Sequence, residues 1–312
     1  MRLAEHWDHA VTPQPCDAQR DDETRIYGCR LLFGALPETD EVGSIGLFEV
    51  PEIAVDAFPV ELIYQNNQER NIRLLTDREF SLPRNAQRWV FEVEGVLRFA
   101  WTQGAPRIDF VRLELASEAL FRFWLYHVVL PIYLSLHRIY KFLHAGAVEI
   151  DGGAVLFMAP SHGGKSTLTD YFLQRGHPLI TDDKMATFER DGDYFAVPSH
   201  PFHRPFRTVE VLGHRCERCA QGALPVRAVY VLEKEEPEAP CTIRPLKGVE
   251  KFSRLHEGGE MNFSFFTPEY VAYLAALANR VEVFAVRVPQ DLEKLGEVHD
   301  TIVAHLNSKG TA

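Results

Sequence analysis

The 312-residue chain is poor in basic residues: 33 Lys and Arg stand against 44 Asp and Glu, giving a formal net charge of −11. A chain this acidic lacks the sequence-wide positive field of a nucleic-acid binder, so no nucleic-acid partner is expected. Long apolar runs are absent. The longest, Phe123 to Leu136, contains His127 and Pro131 and falls short of the ~20 residues a membrane-spanning helix needs. It is expected to be a buried helix kinked at Pro131, with no membrane partner. The opening MRLAEHWDHAV has no apolar core of the secretory type. Cysteine is scarce and odd in number, five in all. That excludes a disulfide scaffold and points to a reducing, cytoplasmic setting. Internal repeats and low-complexity tracts are missing. With 46% hydrophobic and 25% charged residues, the composition is that of a globular protein. At roughly 100–200 residues per domain, the length favours two domains.

Residues 1–24 are polar and predict a flexible N-terminal arm. From 25 to 118 the pattern is mostly period two. Trp89 to Glu94 nearly alternates, Glu94-Gly95 turns the chain, Val96 to Trp101 returns, and Arg107 to Leu115 follows Gln103-Gly104. This is the pattern of antiparallel hairpins, and it predicts a β-rich N-terminal domain. From 119 to 312 the period changes. Strand-like Val226 to Leu232 and Val281 to Val288 alternate with helical stretches beginning at Thr267-Pro268 and Leu292. An α/β domain is expected there.

One stretch of that domain carries chemistry. Ala154 to Met158 is a continuous apolar run, as in a strand buried on both faces. Ala159-Pro160-Ser161-His162-Gly163-Gly164-Lys165-Ser166-Thr167 follows, and then Leu168, Tyr171 and Phe172 at helical spacing. A helix start leaves backbone N–H groups unpaired and carries partial positive charge, and glycines let the preceding backbone curl around an anion. Ser161 to Thr167 are therefore the candidate nucleotide-binding residues. Lys165 is placed to reach the β- and γ-phosphates, and Ser166 to ligate Mg²⁺. The pattern is G-x-x-x-x-G-K-[ST], with Ala159 in place of the first Gly, which is tolerable if its φ stays negative.

Downstream, Pro178-Leu179-Ile180 predicts a short strand, brought back by the intervening helix beside the Ala154–Met158 strand and ending at Thr181-Asp182-Asp183. Ligands gather at such strand ends. Phosphoryl transfer needs one carboxylate for Mg²⁺ and often a second for the acceptor's proton. Upstream, Asp151-Gly152-Gly153 is a hairpin signal. Counting back from that turn puts His144 opposite Ala159 to Ser161, where it contacts a phosphate, tunes a carboxylate or serves as a structural residue.

The run LHAGAVEIDGGAVLFMAPSHGGKST…GHPLITDD resembles the catalytic domain of HPr kinase/phosphorylase and its diverged relatives. The resemblance implies a P-loop kinase domain of the HPr kinase/PEP carboxykinase type, preceded by a smaller β-rich N-terminal domain. It places His144, Lys165, Ser166, Asp182 and Asp183 on family positions. It implies ATP and Mg²⁺ as cofactors and transfer to a hydroxyl, with Asp182 as general base and Asp183 at the metal, although adjacent carboxylates can trade these roles. The ExRGLGxxN segment of the regulators that act on HPr is not present; Thr208 to Arg215 retains little of it. HPr is therefore not the expected acceptor. Diverged relatives that phosphorylate a serine of lasso-peptide precursors offer a peptide or protein acceptor instead.

Weaker signals complete the reading. Arg204 and Arg207, in the basic aromatic stretch 199–207, are candidates for neutralising charge on the transferring group; the alternative is a stiff surface loop. His214, Cys216, Cys219 and Cys241 carry the residue types of a zinc site, but a single C-x-x-C without a second pair is weak evidence for one. A small-molecule hydroxyl acceptor and a non-catalytic ATP-binding scaffold remain the competing functions. A homo-oligomer is compatible with the resemblance.

Overall fold

The computed structural model describes residues 25–38, 43–67, 70–78, 87–205, 210–260 and 263–309. The arm anticipated over 1–24 and the candidate Arg207 lie outside them. The chain is mixed α/β with several sheets, and it divides into two compact units. One is Met1–Ile139 with Val209–Leu212; the other is Tyr140–Thr208 with Gly213–Ala312.

Alternating aromatics build the first unit. Its seven strands are β1 (Arg30–Phe33), β2 (Ser44–Glu49), β3 (Val60–Asn67), β4 (Arg70–Thr76), β5 (Arg88–Val93), β6 (Leu97–Thr102) and β7 (Arg107–Arg112). They form one sheet in the order β1-β2-β7-β6-β5-β4-β3. Gly95 and Gly104 take the positive φ their turns require, 71° and 85°. Helix α1 (Glu118–Leu136) packs on the aromatic face. Its Phe121 stacks on Phe99 at 5.7 Å, Trp124 meets Phe91 at 6.0 Å, and Tyr133 meets Trp101 edge-on. Those contacts place α1 in the first unit, so the boundary expected at 118 falls after Ile139 instead. Although α1 is long and apolar, most of it is buried, as in a core helix. A π-helical turn, Leu125–Val129, precedes Pro131, the position where a kink is expected. Pro131 has no N–H to give, and the wider turn just before it absorbs the missing bond.

The second unit begins with β8 (Lys141–Ile150) and β9 (Gly153–Met158), joined by Asp151-Gly152. Both turn residues have positive φ, 50° and 74°, as a type I′ turn demands. Then come α2 (Lys165–Gln174), β10 (Leu179–Thr181), β11 (Lys184–Arg190), β12 (Asp193–Val197), β13 (Phe202–His203), β14 (His214–Arg215) and β15 (Leu224–Glu235). The unit ends with β16 (Thr242–Pro245), α3 (Gly248–Glu257), β17 (Gly259–Glu260), α4 (Thr267–Arg280), β18 (Val283–Pro289) and α5 (Leu295–Lys309). The cap of α4 is Phe266, with Thr267 already inside the helix and Pro268 in its first turn.

All six β9 residues are buried. Strand β15 runs parallel on one side of β9, and β8 antiparallel on the other. Side-chain alternation separates two cores. Leu156 and Met158 face Leu255, Tyr270 and Leu274 of α3 and α4. Val155 and Phe157 face Leu168 and Phe172 of α2 and Val298 and Ile302 of α5. The sheet is thus covered on both faces, and the end of β9 emerges between its neighbours directly into the glycine loop.

Candidate functional site

The loop from Ala159 to Gly164 is held tightly to itself. The Gly163 N–H donates to the Pro160 carbonyl at 2.9 Å, and His162 and Gly164 take φ of 61° and 90°. A Cβ on Gly163 would stand 2.5 Å from the Ala159 Cβ and 2.8 Å from the Pro160 oxygen. Gly163 therefore compensates for alanine at the motif's first glycine position: the methyl group fits because the residue across the loop has none. Ala159 itself keeps a negative φ.

The Lys165 side chain is buried and bends back into the loop, where Nζ donates to the carbonyls of Ala159 (2.7 Å) and Pro160 (3.4 Å). The first intrahelical bond of α2 runs from the Leu168 N–H to the Gly164 oxygen at 2.9 Å. The N–H groups of the first turn of α2 stand at its positive end. A lysine ammonium beside a helix N-terminus is what a phosphate chain binds. Beside the loop lies a cavity of about 270 Å³ lined by His162, Thr167, Leu232, Lys234 and Asp291, among others.

Asp182 and Asp183 occupy the break between β10 and β11, which pair along the same edge of β8. Strand β8 therefore separates them from β9, two strand spacings or about 10 Å across the sheet. This differs from a strand returning directly beside β9. The elements still converge, because both Thr169 of α2 and the Asp182 carbonyl stand close to the position a Cβ would take on Gly146 of β8.

Both aspartates are buried, and their carboxylates are engaged. Asp182 Oδ1 lies 3.0 Å from His203 Nδ1, and Oδ2 accepts from the Arg204 backbone N–H at 2.9 Å. The Arg204 guanidinium bridges the pair, with Nε 3.8 Å from Asp182 Oδ2 and Nη2 3.7 Å from Asp183 Oδ2. His144 approaches Asp183 Oδ1 at 3.1 Å and Glu260 Oε1 at 3.7 Å, and Lys184 Nζ pairs with Glu260 at 3.3 Å. The β8–β9 register sets Ala145 opposite Met158, so His144 comes level with Ala159. Strand β17, lying along Phe142 and Leu143 on the edge of β8 opposite β11, carries Glu260.

The structure therefore gathers His144, Asp182, Asp183 and Arg204 into one cluster. It sets Ser161 to Thr167 in the loop and helix start across β8. Four members of the cluster went unread in the sequence. Asp170, 3.3 Å from His203 Nε2, stands four residues beyond Ser166 on α2, a same-face spacing that signals it. Lys184, His203 and Glu260 carry no local signal. The Ser166 hydroxyl and Asp183 carboxylate are hard oxygen donors of the kind Mg²⁺ takes, and phosphates complete such a shell. No cluster of three or more His, Cys, Asp or Glu that could hold a metal ion occurs among the described residues. This also corrects the zinc reading of His214, Cys216, Cys219 and Cys241. Cys241 belongs with α5, its N–H bound by Glu297, whereas the Cys219 thiol turns to the Cys216 carbonyl at 3.8 Å. Burial pushes the Cys216 and Cys219 thiols up to about 12 and about 11.

No protein-family model and no curated protein matches this chain. Among solved structures it is similar to the HPr(Ser) kinase/phosphatase from Coxiella burnetii, at 17% identity and a TM-score of 0.34, over 55% of this chain and 99% of that one. The likeness is distant.

Proposed function

We propose that the second unit is an ATP-dependent kinase that transfers the γ-phosphoryl group to a serine or threonine hydroxyl of a peptide or protein acceptor, such as a natural-product precursor. The observation that carries the reading is the pairing of a lysine-bearing glycine loop with a buried aspartate pair bridged by one arginine. The loop N–H groups and Lys165 hold the phosphate chain, and the neighbouring cavity takes the nucleoside. Ser166 and Asp183 are the residues that would hold Mg²⁺, which supplies charge neutralisation when bound. Arg204 lies where it offsets the negative charge of both aspartates and of an approaching phosphoryl group. Asp182 accepts the acceptor's proton. Each of its oxygens already takes one hydrogen bond and retains a second acceptor site. Catalysis is then positioning plus fixed charge.

The test is direct. Titration calorimetry of the full chain with MgATP should show saturable, magnesium-dependent binding that Lys165→Met weakens at least tenfold. Asp182→Asn should keep that binding and lose about 10²–10⁴-fold in transfer from labelled ATP. Wild-type chain that binds no MgATP, or Asp182→Asn with undiminished transfer, refutes the assignment. Label appearing on small hydroxyl compounds but never on peptides would reassign the acceptor. Binding without any transfer would make the chain a nucleotide-binding scaffold.

A further inference from the structure

His203 is fully buried, and no step above uses its ring. Its backbone is fixed first. Strand β13 pairs His203 with His214 of β14, and Gly213, at φ 91°, passes so close that a Cβ there would collide with the His203 carbonyl. From this fixed point, residues 203 and 204 grip the Asp182 carboxylate by both oxygens, one with an imidazole nitrogen and the other with a backbone N–H. An ionised carboxylate has no proton to give, so His203 Nδ1 is the donor. The opposite ring nitrogen, Nε2, lies 3.3 Å from Asp170 Oδ1 and has no aligned hydrogen bond. Asp170 belongs to α2, the helix that starts at the glycine loop. One imidazole therefore spans from the loop helix to the acidic pair.

We propose that His203 is the positioning residue of this site: its Nδ1–H, held in place by the β13–β14 pairing, sets the direction of the Asp182 carboxylate relative to the nucleotide cradle. The proposal rests on reading Asp182 as the proton acceptor. It assigns His203 no contact with nucleotide or acceptor. Misplacing a reacting group by about 1 Å costs on the order of 10²-fold in rate, and that sets the size of the expected effect.

The test separates the two ring nitrogens. The amide nitrogen of Asn falls near the place of Nδ1, and that of Gln near Nε2. His203→Asn should keep γ-phosphate release from labelled MgATP, to water or to added peptide, within about threefold. His203→Gln should lose roughly 10²-fold, with MgATP affinity changed less than twofold in both. In parallel, ¹⁵N-histidine spectra of the wild-type chain should show an exchange-protected Nδ1–H for His203 that vanishes in Asp182→Asn and persists in Asp170→Asn. Equal rates for the Asn and Gln variants, or an Nδ1–H indifferent to Asp182→Asn, overturns the proposal. If wild-type chain fails to bind or turn over MgATP, the kinase reading falls; the spectra still decide whether His203 holds Asp182.

Discussion

Gly146 is where the loop helix and the acidic pair meet, so Gly146→Ala probes the geometry that the functional reading depends on. The new methyl group would collide with Thr169 Oγ1, while the Thr169 Cβ and the Asp182 carbonyl stand at ordinary contact distances of 3.6 and 3.7 Å. The conflict is thus with one atom, on a side chain that is wholly buried and on a helix packed from behind. Relief by movement of α2 costs about 1–3 kcal/mol as overpacking. Replacing glycine in a strand returns about 0.5–1 kcal/mol from the unfolded chain. The net loss is roughly 1.5 kcal/mol, or about 3–6 °C in the melting of a unit this size. Thr169→Ala removes the offending atom together with the buried Cγ2 methyl: loss of the unpartnered Oγ1 is close to neutral, and loss of the methyl costs about 1 kcal/mol. The double variant should melt at or slightly above Thr169→Ala alone, a coupling of about 2 kcal/mol. Every tryptophan in the chain precedes residue 140. Tryptophan fluorescence therefore reports the first unit, and circular dichroism reports both. Only the dichroism transition should move. Equal destabilisation by Gly146→Ala in the wild-type and Thr169→Ala backgrounds would refute this packing.

Two further outcomes follow from buried groups elsewhere. Burial lowers the His137 pKa from its ordinary 6.5 to about 4. The Gly104 N–H donates to Nε2 at 3.1 Å, a bond only the neutral ring accepts, while Nδ1 lies 2.8 Å from the Tyr133 carbonyl as its donor. The unfolded chain therefore binds the proton first, and the first unit should lose roughly 3 kcal/mol as pH falls from 6.5 to 4, followed by tryptophan fluorescence in urea. A flat stability across that window, or an unchanged slope in His137→Gln, contradicts it. Cys29, Cys216 and Cys219, raised by burial to about 12, about 12 and about 11, should alkylate far more slowly at pH 8 than a free thiol. Metal analysis should find no zinc, and a chelator should leave the melting temperature unchanged; stoichiometric zinc would reinstate the four-ligand reading.

The sequence was legible where one short segment carries its own geometry. Asp151-Gly152 announces a hairpin because both residues tolerate positive φ, and the turn then sets the register that puts His144 level with Ala159. The loop is readable for the same reason, down to the Ala159 substitution that Gly163 accommodates. Helix α1 was legible as buried but not as to its partner, because a helix apolar nearly all round does not say which sheet it covers. Only the contacts of Phe121, Trp124 and Tyr133 settle that.

His203 shows why the rest stayed hidden. In the stretch 199–207 two histidines and two arginines compete for attention, and nothing local distinguishes them. Strand alternation sends Phe202 and His203 to opposite faces, so a slip of one residue in the β13–β14 register would present phenylalanine to Asp182. The feature that excludes the slip lies outside the stretch: Gly213 lets its backbone close on the His203 carbonyl, where a side chain would force the strands apart. A Gly213→Ala chain should accordingly lose transfer as His203→Gln does, with the loop and its MgATP affinity intact. If it transfers phosphate normally, the register is held elsewhere and Gly213 is a turn residue only.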